Sequence, residues 1–206
     1  ARCGAGITVL SAEEEAKAVD RWKQYLAAGG SVCKFVPASG AASRMFKALF
    51  AFVDSAEEHP AEGSDVAALV KDIHKVAFFD ELNEAAKKHY GADVDTLIAD
   101  GREKNVIRAI ILPEGLDYGA LPKGLLTFHH SADGTRTPVE EQLMEGAQSA
   151  CQADGSVNMH LTVSGSHRKA FEKKLAEAVP AIEQRMGVKI NVSMSEQLPS
   201  TDTVAV

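Results

Sequence analysis

The sequence predicts an α/β fold, a mostly parallel sheet with flanking helices and an inserted helical subdomain. Three observations predict it. Residues 31–50, SVCKFVPASGAASRMFKALF, run from a short apolar strand through a turn of small residues into an amphipathic helix. Toward the other end, LPKGLLTFH, TPVEEQLMEGAQSA, VNMHLTVSG, SHRKAFEKKLAEAVPAIEQRMG and KINVSMS read as strand, helix, strand, helix and strand. Strands alternating with helices build a mostly parallel sheet covered on both faces, and ligands bind such sheets beyond the carboxyl ends of the strands. Between the two runs, residues 56–115 lose the strand pattern and read as helices.

Each element has a local cause. Ser11 followed by Glu14 makes a capping box, in which each side chain accepts from the other residue's backbone N–H, and Val19, Trp22 and Leu26 recur at helical spacing. Gly29 and Gly30 end this helical preface, residues 1–30. Val32, Phe35 and Val36 suit a buried strand; Ser39, Gly40, Ala41, Ala42 and Ser43 form the turn, and the next helix is expected from about Arg44. AEEHPAEGSD reads as a linker, with helices expected over residues 65–77, 79–90 and 93–111 and Gly91 as the stop after the second. LPEGLDYGALPKG leads back toward the sheet. Thr137 caps the helix that follows, Pro138 fits its first position, and Glu140 completes a second capping box.

A chain of 206 residues can bury one substantial core, and 45% hydrophobic with 25% charged residues is the balance of a soluble globular domain. A net charge of −7 excludes the broad basic field that nucleic acid or an anionic membrane requires, so any anion site must be local. Cys3, Cys33 and Cys151 are odd in number and far apart, which indicates neither a disulfide framework nor a zinc site; a reducing cytoplasm is the expected compartment. No apolar run reaches the ~20 residues of a membrane span. The first residue is Ala1 rather than methionine, which leaves room for a removed targeting peptide.

The turn at residues 39–43 has the build of an anion-holding loop. Side chains this small let backbone N–H groups approach a ligand closely, and the positive end of the following helix faces the same space. Arg44 and Lys47 add full charges, and Lys123 places another at the mouth of the second apolar run. An ordinary strand-turn-helix packed with small residues has the same composition, so the other segments decide between the two.

Three separated segments resemble, in the same order, the sugar-nucleotide nucleotidyltransferases of the glycosyltransferase-A fold. PASGAASRM resembles their opening Gly-x-Gly-Thr-Arg-Met loop, PKGLLTF their Pro-Lys-x-Leu-Leu segment, and SEQLPSTDT their Gln-x-Pro-x-Gly-Thr segment. The resemblance covers about residues 31–55 and 120–203 and implies a Rossmann-like, nucleotide-diphospho-sugar transferase-like fold. Over nearly its whole length the chain is also similar to a bacterial family, domain-of-unknown-function family 4301, which shares VPASGAA-S/T-RMFK, LPKGLL and STDT and whose name implies no activity.

The nucleotidyltransferase resemblance implies roles residue by residue. Gly40 matches the first glycine of the loop, Ser43 its threonine, and Arg44 the arginine that faces the triphosphate and the leaving pyrophosphate. Ala42 stands where a glycine is expected, and its methyl narrows the approach of a phosphate to the backbone. Lys123 matches a lysine that meets phosphate oxygens and Gln197 a glutamine that reads the nucleobase edge; Thr201 agrees, while Ser200 replaces a glycine. The implied ligands are a nucleoside triphosphate and a phosphorylated sugar or similar small molecule. Two cations cannot offset that charge, so Mg²⁺ is expected. In the resembled enzymes its aspartate follows the Gln-x-Pro segment on a later strand, beyond Val206, and Asp202 is the possible substitute. The chain is accordingly expected to be the amino-terminal part of a longer protein and to turn nothing over alone. The alternative is a nucleotide- or phosphosugar-binding module without turnover, which Ala42 and the missing metal carboxylate favour for this chain.

Other polar groups give weaker signals. His129 and His130 are adjacent on an expected strand end and point to opposite faces, which does not suit one metal. Ser164, Ser166 and His167 form no triad by themselves, and Ser166 reads as a helix cap. His59, His74 and His89 recur every fifteen residues across separate helices, a spacing without ligand geometry.

Overall fold

The computed structural model describes residues 1–198. In chain order it contains β1 (Arg2–Cys3), β2 (Gly6–Ile7), α1 (Ala12–Ala27), β3 (Cys33–Pro37), α2 (Lys47–Asp54), α3 (Asp65–Lys71), α4 (Phe79–Tyr90), α5 (Val94–Ala99), α6 (Glu103–Ile111), β4 (His129–Ser131), β5 (Gly134–Arg136), α7 (Pro138–Ser149), β6 (Ser156–Val163), α8 (Arg168–Met186) and β7 (Lys189–Glu196). β3, β6 and β7 form a three-stranded, all-parallel sheet in that spatial order, which makes the fold α/β. Among the described residues, no helix is long and apolar enough to cross a membrane.

The strand order decides where the helices go. Both steps, β3 to β6 and β6 to β7, move in the same direction across the sheet, and right-handed crossovers then put α7 and α8 on one face. There Val157, Met159, Leu161 and Val163 of β6 pack with Val36 and Ile190 against Val139 and Leu143 of α7 and Phe171, Leu175 and Ile182 of α8. The opposite face carries Cys33, Phe35 and Pro37, then Asn158, His160 and Thr162, then Asn191, Ser193 and Ser195, and none of these is buried. The expectation of a sheet covered on both faces is corrected: the alternate positions of β6 and β7 are polar, so a second layer would find little apolar surface to bury beyond the exposed Phe35 of β3.

Three further boundaries differ from expectation. The apolar run at residues 121–129 adds no strand to this sheet; a 3-10 turn occupies Lys123–Leu125, Leu126 is fully buried among helices, and His129 opens the separate β4–β5 hairpin. The helix expected from Arg44 begins at Lys47, because residues 42–45 close a turn in which the Met45 N–H donates to the Ala42 carbonyl at 2.9 Å. The helix expected over 93–111 is broken at Gly101, φ 70°, into α5 and α6, and the first of these starts from Asp93, whose carboxylate accepts from the Thr96 N–H at 2.8 Å. Both capping boxes form, at Ser11–Glu14 and Thr137–Glu140, and Gly91 ends α4 in the left-handed region at φ 76°.

A second hydrophobic cluster fills the helical segment, with Phe46, Leu49 and Phe52 of the α2 region against Leu82, Leu97, Ile107 and Ile110. By contrast, α1 buries none of its residues and is pinned by the Trp22 indole N–H, which donates to the Ser149 carbonyl at 3.1 Å. Lys104 is the unusual member of the helical core at 8% exposure. Its ammonium donates to the Ser55 and Glu57 carbonyls at 2.7 and 2.9 Å, satisfying groups just past the end of α2, and it lies over the Phe52 ring. Lys104→Met keeps most of the stem and removes both charged hydrogen bonds, so urea unfolding should show a loss of about 1.5–3 kcal/mol.

Candidate functional site at the carboxyl edge of the sheet

The loop after β3 is strung between the two cores. Ala38 belongs to the sheet cluster, whereas Ala42 and Phe46 belong to the helical one. Ala42 is 2% exposed, so of the loop residues expected to meet a ligand it presents the least surface. Its methyl has a packing cause: a hydrogen in its place would leave a void in the helical core.

Around this loop the structure brings together residues far apart in sequence. The Ser39 hydroxyl donates to the Gln197 carboxamide oxygen at 2.6 Å across a separation of 158 residues. The Gly40 carbonyl accepts from the Lys123 N–H at 3.0 Å, and Ala41 bridges Pro122. Sheet bonds fix the level of both partners, since the Ala38 N–H donates to the Thr162 carbonyl at 2.8 Å and the Gln197 N–H to the Val163 carbonyl at 2.9 Å. All of this lies just past the carboxyl ends of β3, β6 and β7. Gly40 faces open space, with no atom within 4 Å of where a Cβ would stand. Ser43, Arg44, Lys47 and Lys123 are exposed, and none of the three cations forms an ion pair among the described residues. Thr201 and Asp202, with Ser200, lie outside the described residues.

A cavity of about 210 Å³ opens between this loop and α7, lined by Pro37, Ala38, Gly40, Lys123, Gly124 and Gln142 among others. Gly124, one of its lining residues, packs closely on Phe171, whose ring would stand 3.2 Å from a Cβ there. A larger cavity of about 430 Å³ lies within the helical segment, lined mainly by apolar side chains such as Met45, Phe46, Leu69, Val76 and Phe128. It offers volume with few polar groups. The loop edge offers unpaired cations and an exposed backbone, which is what an anion requires.

Sequence reading missed the part played by His167. Its Nε2 faces the Ala120 carbonyl at 3.0 Å and must donate there, so Nδ1 accepts the Ser164 hydroxyl proton at 2.7 Å. The ring thus ties the β6–α8 turn to the segment that carries Lys123. Ser166 approaches the same nitrogen at 3.4 Å and does not cap a helix, which corrects its expected role; α8 has His167 at its N-cap and no side-chain cap. The other histidines remain separate: His59 meets Glu103, His74 meets Asp95, and His130 lies against the Lys75 carbonyl.

The segment before Lys123 is held by a buried network. The Tyr118 hydroxyl accepts from the Thr127 N–H at 3.2 Å and donates to Glu81 at 3.3 Å, while the Thr127 hydroxyl also reaches Glu81. Just before it, Asp117 adopts φ 56°, and its carbonyl accepts from the Ala120 and Leu121 N–H groups. Burial pushes the Tyr118 hydroxyl up from 10.0 to about 12. A folded chain that holds this proton more tightly than the unfolded chain keeps the full contribution below pH 10 and loses it as pH rises to about 12. Alkaline unfolding of the native chain should therefore steepen in that window, and Tyr118→Phe should remove the steepening. It should also cost about 1–3 kcal/mol at neutral pH, since the buried Thr127 N–H loses its acceptor.

Neither a curated protein nor a solved structure matches this chain. A family model, however, matches residues 1–206, from first to last. The loop residues 38–46, the Lys123 segment and the strand leading to Gln197 all lie within the match, and the chain belongs to the family described as Domain of unknown function (DUF4301).

Proposed function

We propose that this chain is nucleotidyltransferase-like and binds a nucleoside triphosphate and a phosphorylated sugar or similar small molecule at the carboxyl edge of its sheet. The observation that carries the proposal is convergence: the three segments that resemble the sugar-nucleotide nucleotidyltransferases are hydrogen-bonded to one another through Ser39–Gln197 and Gly40–Lys123. Lys123 stands at that junction and Arg44 four residues past Gly40, both exposed and without an ion pair among the described residues. In this reading the sheet is that of a Rossmann-like, nucleotide-diphospho-sugar transferase-like domain.

Joining a sugar phosphate to a nucleotide needs the attacking oxygen and the α-phosphorus held in line while the charge of departing pyrophosphate is neutralised. Arg44 serves the triphosphate and pyrophosphate, Lys123 the phosphate oxygens, and the backbone at Gly40 supplies close contact. Ser39 orients the Gln197 carboxamide that reads the base. The 210 Å³ cavity is smaller than the ~300–1,000 Å³ of ordinary ligand pockets, so it takes one phosphate group rather than a whole nucleotide. Mg²⁺ enters the proposal as the ion that offsets the remaining charge, with Asp202 as its carboxylate; the described residues supply no cluster of three metal ligands. A second reading, favoured by the buried methyl of Ala42 where the resembled loop has a glycine, is a binding module without turnover.

Pyrophosphate release, measured with a panel of nucleoside triphosphates and sugar phosphates, tests both. Release supports the enzyme. Saturable nucleotide binding without release supports the module, and neither binding nor release overturns the site.

A further inference from the structure

The open face of the sheet carries a directed chain of hydrogen bonds that the nucleotide site does not use. The Ser193 hydroxyl donates to the Met159 carbonyl at 3.2 Å, so toward His160 it acts as an acceptor, and His160 Nδ1 must carry the proton in their 2.8 Å contact. That fixes the neutral tautomer. Nε2 then holds the lone pair, and the Ser195 hydroxyl donates to it at 2.9 Å. The Phe35 ring lies nearly parallel to the imidazole, with centroids 6.0 Å apart and planes 10° apart, and sets its plane from the neighbouring strand. A hydroxyl on a base that is itself oriented by a third group is the general form of an activated serine.

We propose that Ser195 is a nucleophile toward a carboxylic ester, with His160 as its base and Ser193 as the residue that positions the ring. The class of electrophile follows from charge. The positions on this face that surround Ser195 in the register, Pro37, His160, Thr162 and Ser193, include no lysine or arginine; Lys189, opposite Ser156 at the far end of β7, is held by Glu183. A phosphoryl group would find no cation there, whereas a neutral acyl carbon needs none. Phe35, 61% exposed, gives an apolar platform for the acyl or leaving group. Thr162 stands opposite Ser195 in the register and on the same face, and in this proposal its hydroxyl is the donor to the developing oxyanion.

The chemistry balances with water as co-reactant. Ser195 Oγ bonds to the acyl carbon as its proton passes to His160 Nε2, and the ester C–O bond breaks as the departing alkoxide takes that proton. Water then attacks the acyl-serine, giving its proton to Nε2, and Ser195 recovers it as the carboxylic acid leaves. No nucleotide takes part, so this proposal stands or falls separately from the one above.

The test uses the full chain with p-nitrophenyl acetate as substrate and an alkyl fluorophosphonate as label, the adduct being mapped by mass spectrometry. Nitrophenolate release is expected, with the adduct on Ser195. Ser195→Ala should abolish labelling, and both His160→Ala and the milder His160→Gln should lower the rate by about 10²-fold or more, with circular dichroism confirming the fold. Ser193→Ala should slow labelling without moving it, and Ser193→Thr should restore it. Ser164, beside His167, is the internal comparison. No adduct on Ser195, an adduct on Ser164 in its place, or labelling undiminished in both His160 variants would overturn the proposal and leave a cross-strand polar ladder.

Discussion

Phe171→Ala is expected to lower the free energy of unfolding by about 3–5 kcal/mol, read as a fall in the urea midpoint. The side chain is fully buried between α8 and the sheet. Its ring also abuts Gly124, and the Ala38 methyl lies near the same position. Truncation therefore opens a void beneath both the β3 loop and the Lys123 turn, and neighbours fixed in a parallel sheet cannot collapse far enough to fill it. Phe35→Ala, a loss of the same ring from the exposed face, should fall within about 0.5 kcal/mol of the native chain. A cost below about 1 kcal/mol for Phe171→Ala would mean that the ring does not support the junction.

Arg44→Ala combined with Lys123→Ala should weaken triphosphate binding by about 3–6 kcal/mol, roughly 10²–10⁴-fold in Kd. Each single variant removes one charge-assisted contact worth about 1.5–3 kcal/mol, and the double variant reports whether the two act on the same ligand. Both side chains are exposed and without ion-pair partners among the described residues, so the midpoint of unfolding should hardly move. Titration calorimetry with a nucleoside triphosphate makes the measurement. A Kd unchanged in the double variant removes both residues from the site.

Local chemistry was legible in this sequence and long-range geometry was not. The capping boxes at Ser11 and Thr137 and the Gly91 stop depend on residues a few positions apart, and they form as the sequence indicates. The start of α2 depends on more than its neighbours: Ala42 and Phe46 are drawn into the helical core, and the turn they make delays the helix to Lys47. The open face was written in the alternation of Asn158, His160 and Thr162 and again of Asn191, Ser193 and Ser195, since a strand buried on both faces is apolar throughout. The order of strands and helices outweighed that signal in predicting two covered faces. At the site, residue type singled out Ser39, Gly40 and Lys123, but only the fold sets Ser39 against Gln197. The Ser164–His167 spacing was equally visible, whereas the Ala120 carbonyl that fixes the ring lies 47 residues away.

Ala38 is fastened in one hydrophobic cluster and Ala42 in the other, so residues 39–41 are a cord of three whose ends are nailed to different bodies. Across from it, Leu125 packs against the sheet cluster while its neighbour Leu126 is buried among the helices. Rotation of one body against the other would load both of these crossings, which touch at the Gly40–Lys123 hydrogen bond. A ligand gripping both crossings would act as a brace: the free energy of its binding would be spent partly on alignment, and the angle between sheet and helices would become a property of the occupied state.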